Sequence, residues 1–173
     1  VPGPGSIPIT LEAKMATILK KFIGDHQFGG FTPYGNVTVL RATLQTLANG
    51  SVLNANSTAP LAVNDVVALQ TLPQGFDLHD LQIIVSDHLG AGVTGSVGFL
   101  YIDGVDDAVV PQDAAYFGAD LALSAAARLR TGSAKAPVKL AKEAYLVLTI
   151  TGAAVAEAGR ADFIVTGERI GPK

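Results

Sequence analysis

The sequence predicts an all-β domain, a sandwich or a barrel, preceded by an arm that has no core of its own. Three observations predict it. From about Asn36 to Glu168, apolar and polar residues alternate in short runs, the period of half-buried strands. Gly, Pro, Asn and Asp separate those runs at intervals of about 8 to 12 residues, the spacing of sandwiches and barrels. The first 35 residues break the pattern. They comprise a Pro/Gly-rich leader, a short basic amphipathic stretch and a Gly/Phe-rich loop.

The chain therefore divides near Tyr34-Gly35-Asn36, into an arm of residues 1–35 and a β-domain of residues 36–173. Residues 1–14, VPGPGSIPITLEAK, precede Met15-Ala16, which has the form of a translation start. They read either as an upstream or non-native extension or as a Pro-rich arm in an extended polyproline-like form. Ala16–Ile23 places Ile18, Leu19, Phe22 and Ile23 at helical spacing, with Lys20 and Lys21 opposite. A stretch this short is no stable isolated helix, and the same letters fit a strand. Either way its apolar face needs a surface to pack on. His26–Phe31 follows as a loop with Phe28 and Phe31 exposed. Ile18, Leu19, Phe22, Ile23, Phe28 and Phe31 are thus the candidate partner-binding residues of the arm.

Within the domain, Leu40, Ala42 and Leu44 face one way and Arg41, Thr43 and Gln45 the other, a half-buried strand. Asn49-Gly50 predicts a hairpin turn between Leu47 and Val52. Asn54–Pro60 is a polar loop, Asp65–Leu72 resumes the alternation, and Pro73-Gln74-Gly75 is a turn. Leu81, Ile83 and Val85 form the next strand, then Val97, Phe99 and Tyr101, ended by Asp103-Gly104. Asp120–Arg130 is ambiguous. Its alanines favour helix, its alternation fits a strand, and the sheet context favours the strand. Ala144–Thr151 and Asp162–Thr166 are apolar on both faces, which predicts central positions in their sheets.

Composition narrows the function. Charged residues are 16% of the chain and apolar ones 49%, with a mean hydropathy of +0.37. An ordinary soluble domain carries about 25% charged residues. The deficit implies an uncharged outer surface of the kind that partner subunits cover. Net charge is −3 and the basic residues are scattered, which excludes the concentrated basic face of a nucleic-acid binder. With no cysteine there is neither a disulfide framework nor a thiolate metal site. No run approaches the roughly 18 to 20 apolar residues of a membrane-spanning helix. The beginning of the sequence lacks the charged-then-apolar layout of a secretory signal.

The motifs with chemical potential are weak. Gly90-Ala91-Gly92-Val93-Thr94-Gly95 is a literal GxGxxG, but a phosphate cradle needs a helix to open at its end. Here Ser96–Tyr101 reads as a strand, so the glycines serve a β–β connection. Asp77, His79, Asp80, Asp87 and His88 are the densest titratable group. The first three stand at a strand entrance and the last two at its exit, on the order of 20 Å apart by strand rise. They form no single site, and solvated loop roles are expected. Asp103-Gly104-Val105-Asp106-Asp107 invites a calcium reading, but an EF-hand loop counted from Asp103 has Val105 at its third position and Ala114 at its twelfth. A non-EF loop site and a plain Asp-Gly turn remain the alternatives. Asn-x-Ser/Thr sequons occur at Asn36, Asn49 and Asn56 and matter only in a eukaryotic secreted chain. There is no G-x-S-x-G, and a chain without Trp makes a poor sugar platform. The expectation is no catalytic residue, no cofactor and no metal, hence no enzyme.

Several segments carry a likeness. They are Val39–Leu44, Gly50–Asn54, Leu72–Phe76, Gly98–Asp106, Val110–Asp113, Ala115–Gly118 and Gly159–Val165. With them the run from Asn36 to Gly167 resembles the capsid decoration, or cement, proteins of tailed bacteriophages. The resemblance implies a jelly-roll-like antiparallel β-sandwich, to which the residues before Asn36 add an extended N-terminal arm. It further implies a virion protein on the outer capsid surface, partnered by the phage major capsid protein and by itself as a homotrimer, bridging neighbouring capsomers. Neither nucleic acid nor membrane is an expected partner. The arm lies outside the resembling region, so its role rests on its own residues. A carbohydrate-binding or adhesin module displayed on a virion is the alternative, by analogy of fold alone.

Overall fold

A computed structural model describes residues 37–169, and among these every regular element is a strand. In chain order they are β1 (Val37–Thr46), β2 (Val66–Leu72), β3 (Phe76–Asp87), β4 (Val93–Tyr101), β5 (Asp113–Ala122), β6 (Ala127–Arg130), β7 (Val138–Lys139), β8 (Ala144–Gly152) and β9 (Gly159–Arg169). Two sheets result, both wholly antiparallel. The first has the order β1-β9-β3-β6, with β7 also paired to β3; the second has the order β2-β8-β4-β5.

The pairs β4/β5, β3/β6–β7, β2/β8 and β1/β9 are those of one long hairpin folded about the loop at 102–112. The strands have at least one apolar face each, so a flat ribbon would leave that face in water. Rolling the ribbon brings β9 against β3 and β8 against β4, which closes the two sheets over a shared core. This is a jelly-roll sandwich. Phe76, Leu78, Leu81, Ile83, Phe163 and Val165 from the first sheet meet Val97, Phe99, Leu146, Leu148 and Ile150 from the second, all essentially inaccessible to solvent. Edge-to-face contacts of Phe99 with Tyr101 and Tyr116, and of Tyr116 with Phe117, fill the core beside β5.

The roll has two ends. Val37 pairs with Glu168, so β1 begins and β9 finishes together. The β2–β3 turn, the β7–β8 link and the 102–112 loop share that end, tied by bonds from Gly75 N to Leu140 O and Ile102 N to Glu143 O. The opposite end gathers the loops at 47–65, 88–92, 123–126 and 153–158. There Gly50 turns the chain at φ +81°, and any Cβ on it would collide with the Val155 carbonyl. Only glycine meets both demands.

Most elements follow the sequence pattern. Ala42 and Leu44 face inward on β1, and β8 and β9 are central in their sheets. Three readings need correction. Asp77, His79 and Asp80 are not at a strand entrance in a loop. They lie within β3, because β9 and β7 supply pairing partners back to Phe76 and Asp77. Asp120–Arg130 is not one strand. β5 starts at Asp113 and ends in the second sheet, the chain crosses the sandwich through Leu123–Ala126, and β6 joins the first sheet. The crossing is marked by Asp120 at φ +51° and by Leu123, whose side chain is fully buried. Beyond the Asn49-Gly50 turn the return strand is reduced to a Thr46–Val52 bridge. The domain boundary at residue 35 and the arm residues Ile18, Leu19, Phe22, Ile23, Phe28 and Phe31 lie outside the described residues.

Candidate interaction surfaces

The titratable groups that stood out in the sequence are separated in space. Asp77 and His79 approach to 4.0 Å on β3, Asp80 holds Arg130 of β6 at 2.6 Å, and His88 holds Glu157 at 3.1 Å at the far end. Among the described residues no group of three or more His, Cys, Asp and Glu is placed to hold a metal ion. Gly90–Gly92 make a turn that runs straight into β4, so no helix dipole faces them.

The acidic loop is a scaffold. Asp106 Oδ1 accepts the N–H groups of Asp107 and Gln112, at 2.9 and 2.7 Å. Asp107 Oδ1 accepts those of Val109 and Val110, at 2.9 and 2.8 Å. Asp103 accepts Val105 N and, through its other oxygen, Lys142 Nζ at 2.9 Å. The side-chain bond from Lys142 followed by the backbone bond from Val105 lowers the Asp103 carboxyl below its usual range. The bonds from Val110 and Val109 do the same for Asp107. These carboxylates fix backbone and hold Val105 and Val109 out into solvent, Val109 at 88% exposure. Tyr101 anchors the loop from the core by donating its hydroxyl to Val110 O at 2.6 Å.

One buried carboxylate escaped the sequence reading. Asp162 of β9 accepts Thr43 Oγ1 at 2.5 Å and Arg41 Nη2 at 2.9 Å on one oxygen, and Arg160 Nε at 3.4 Å on the other. Burial alone would raise its pKa. The bonds from Thr43, Arg41 and Arg160 outweigh it, so the carboxyl sits below its ordinary range. Its signal in the sequence was an acid inside the apolar run Ala161–Val165 with arginine two residues before it. The partners on β1 are legible only after β1 and β9 pair across more than a hundred residues.

Between the edges of β1 and β2 lies a groove of about 640 Å³, lined by Thr43, Leu44, the loop from Val52 to Leu61, and Asp65–Leu69. No aromatic side chain lines it. Its rim carries the exposed Leu53 and Val66.

The two outer faces of the sandwich differ sharply in charge. On the first sheet, β1 brings Arg41, β9 brings Arg160, Asp162 and Glu168, β3 brings Asp77, Asp80 and Asp87, and β6 and β7 bring Arg128, Arg130 and Lys139. In the second sheet, β2, β8 and β4 contain no Asp, Glu, Lys, Arg or His at all. Their residues on that side fall in register: Val66–Thr149–Ser96 and Thr71–Tyr145–Leu100 with Thr151–Thr94 beyond, while in the middle row Ala68 is exposed but Val147 and Gly98 are buried, Gly98 against the backbone of Asp113–Tyr116. Thr94 and Thr151 hydrogen-bond across the strands at 2.7 Å. Charge is thus absent from three adjoining strands of the second sheet and returns on its fourth, β5, with Asp113 and Asp120.

No family model matches the chain, and no curated protein matches it. Solved structures do. A chain of the capsid of Ralstonia phage GP4 aligns over 79% of this chain and 86% of its own, with a TM-score of 0.54 at 16% identity. A chain of the cyanophage Pam1 capsid asymmetric unit aligns over 95% of this chain and 100% of its own, with a TM-score of 0.50 at 17% identity. At such identities the likeness is one of fold: this chain folds as a jelly roll similar to chains found in two phage capsids.

Proposed function

We propose that this protein is a structural component of a tailed-phage virion. On this reading it is a decoration protein that binds the outside of the assembled capsid and bridges neighbouring capsomers. The observation that carries the reading is the rolled-ribbon fold, shared along most of its length with chains of two phage capsids. Two further features support it. The carboxylates of Asp103, Asp106 and Asp107 and the glycines of the Gly90–Gly92 turn, which stood out as chemistry in the sequence, are engaged as scaffold. The strands β2, β8 and β4 present a charge-free face suited to permanent contact.

In this proposal the major capsid protein is the principal partner and the chain self-associates, as a homotrimer. Residues 16–35 of the arm cross to a neighbouring subunit and bury Ile18, Leu19, Phe22, Ile23, Phe28 and Phe31 there. The motive is an apolar sequence too short to make its own core. The test is deletion of residues 1–35, followed by capsid binding and thermal rupture of the particle. Lost binding, or rupture at lower temperature, is expected. Unchanged binding and rupture would remove the arm from the mechanism, and failure of the full chain to bind the capsid would end the proposal. A carbohydrate-binding role gains nothing from the β1–β2 groove, which offers a sugar no aromatic platform.

A further inference from the structure

We propose that the loop at 102–112 is the receptor on which the arm of a neighbouring copy docks. In this contact the stretch Ala16–Ile23 covers Ile102, Val105 and Val109, and Lys20 and Lys21 meet Asp106 and Asp107. The inference deepens the arm's part in the proposed function and rests on it. Exposure, charge and reach each favour this occupant.

Ile102, Val105 and Val109 are 40%, 59% and 88% exposed, three large apolar side chains within eight residues. Apolar groups gathered in this way mark an interaction site. Asp103, Asp106 and Asp107 hold the backbone that presents them, and Tyr101 pins it to the core. A surface fixed before its partner arrives loses little freedom on binding. The rival receptor is the β1–β2 groove, with Leu53 and Val66 exposed on its rim.

Charge separates the two. Three carboxylates of the loop stand against one ammonium, Lys142, which Asp103 already holds, so two negative charges are left over. The bonds that Asp106 and Asp107 accept from the loop all end on Oδ1, which leaves Oδ2 of each for a cation. Ala16–Ile23 has two lysines, no acid and four large apolar residues, the complement in both respects. The groove offers one carboxylate, Asp65, and it already accepts Ala62 N at 2.8 Å. Loop and arm therefore attract each other before contact, whereas two copies of the loop repel.

Reach and symmetry agree with a trimer. The contact joins two different surfaces, so it is heterologous, and repeated by a third of a turn it closes into a ring of three. Val37 begins β1 at the same end of the roll as the 102–112 loop. Subunits side by side about an axis along the roll keep those ends level. Residues 24–36 join Ile23 to Val37, thirteen residues with a maximum span of about 45 Å. A domain of this size is roughly 35 Å across, so the tether spans the distance to the next subunit's loop.

The experiment is sedimentation of the full chain from about 1 to 100 µM, the range in which a micromolar association resolves. Val109→Lys sets a cation against the arm at the most exposed of the three apolar positions, where folding is not at risk. Lys20→Glu with Lys21→Glu reverses the arm's charge. Each change is expected to weaken self-association at least about tenfold, and the combined variant to regain part of the loss, since the new lysine then meets the new glutamates. Val66→Lys, on the groove rim and on an edge strand, is expected to change nothing. Because the chain has no cysteine, Phe22→Cys and Val109→Cys in one chain give a second readout. With oxidised glutathione as oxidant, covalent dimers and trimers are expected on a denaturing gel. A disulfide formed only within single chains places the arm on its own loop and overturns the crossing. Chains that stay unlinked, or an oligomer broken by Val66→Lys and not by Val109→Lys, overturn the loop as receptor. A wild-type monomer at every concentration, or an oligomer that survives deletion of residues 1–35, instead ends the arm's part in self-association, the reading beneath this one. A Val109→Lys variant that keeps its oligomer and loses capsid binding assigns the loop to the capsid and overturns the arm as its occupant.

Discussion

At the scale of single residues, Asp162 is the polar side chain on which the first sheet most depends. It joins β1 to β9 beyond their backbone ladder, through Thr43 and Arg41. Asp162→Asn keeps the shape and removes the charge, and it is expected to cost about 2 kcal/mol in denaturant unfolding. The pH dependence follows from the lowered carboxyl. A group ionised more readily when folded contributes stability above its unfolded pKa of about 3.9, and that contribution is lost as pH falls through its folded value. Unfolding free energies measured from pH 7 down to 3 should fall more steeply for the wild type than for Asp162→Asn. Parallel curves would show that the cluster adds nothing. The core makes a simpler case. Phe163 is completely buried at the centre of β9, so Phe163→Ala should destabilise by about 3 to 5 kcal/mol. Both residues sit in one apolar run that the sequence marked as a central strand. Burial of Phe163 was legible from that pattern, and the partners of Asp162 were not.

At the scale of elements, the loop at 102–112 shows how a short acidic run is used. Its spacing left a loop cation site and an Asp-Gly turn open. The Asp-Gly turn forms, with Gly104 N on Tyr101 O and Gly104 at φ +67°, and the carboxylates accept the loop's own N–H groups, a competition that short acidic side chains win in turns. Asp107→Ala should therefore loosen the loop without unfolding the sandwich. Faster amide exchange at Val109 and Val110, with the β3 and β9 amides unchanged, is the expected result. Equal protection in both proteins would assign the rigidity to Tyr101 and Asp106 instead. Sequence pattern located this loop because Asp-Gly is a strong local signal. It misread Asp120–Arg130, since alternation runs on through Ala122 and Ala127 while the chain changes sheets at Leu123. Period-two patterning reports which side chains are buried and carries no record of which sheet buries them.

At the scale of the whole molecule, the unequal sheets predict how capsid binding responds to salt. Contact through the uncharged strands β2, β8 and β4 should hold or strengthen as NaCl rises from about 0.05 to 1 M, because exposed charges are screened there and apolar burial is not. Capsid binding that dissolves in salt would point to the arginine-bearing sheet instead. The sequence by itself determined that this is an all-β chain with a real core, which residues face inward on most strands, where the turns fall, and that charge is scarce overall. Those properties are local or compositional, set by alternation, turn chemistry and residue counts. The rolled order of the strands, the Arg41–Thr43–Asp162 cluster and the meeting of the uncharged strands β2, β8 and β4 in one sheet were decided only by tertiary structure. Each depends on pairing between strands as distant as β1 and β9, and a linear pattern does not encode which distant strand will be the neighbour.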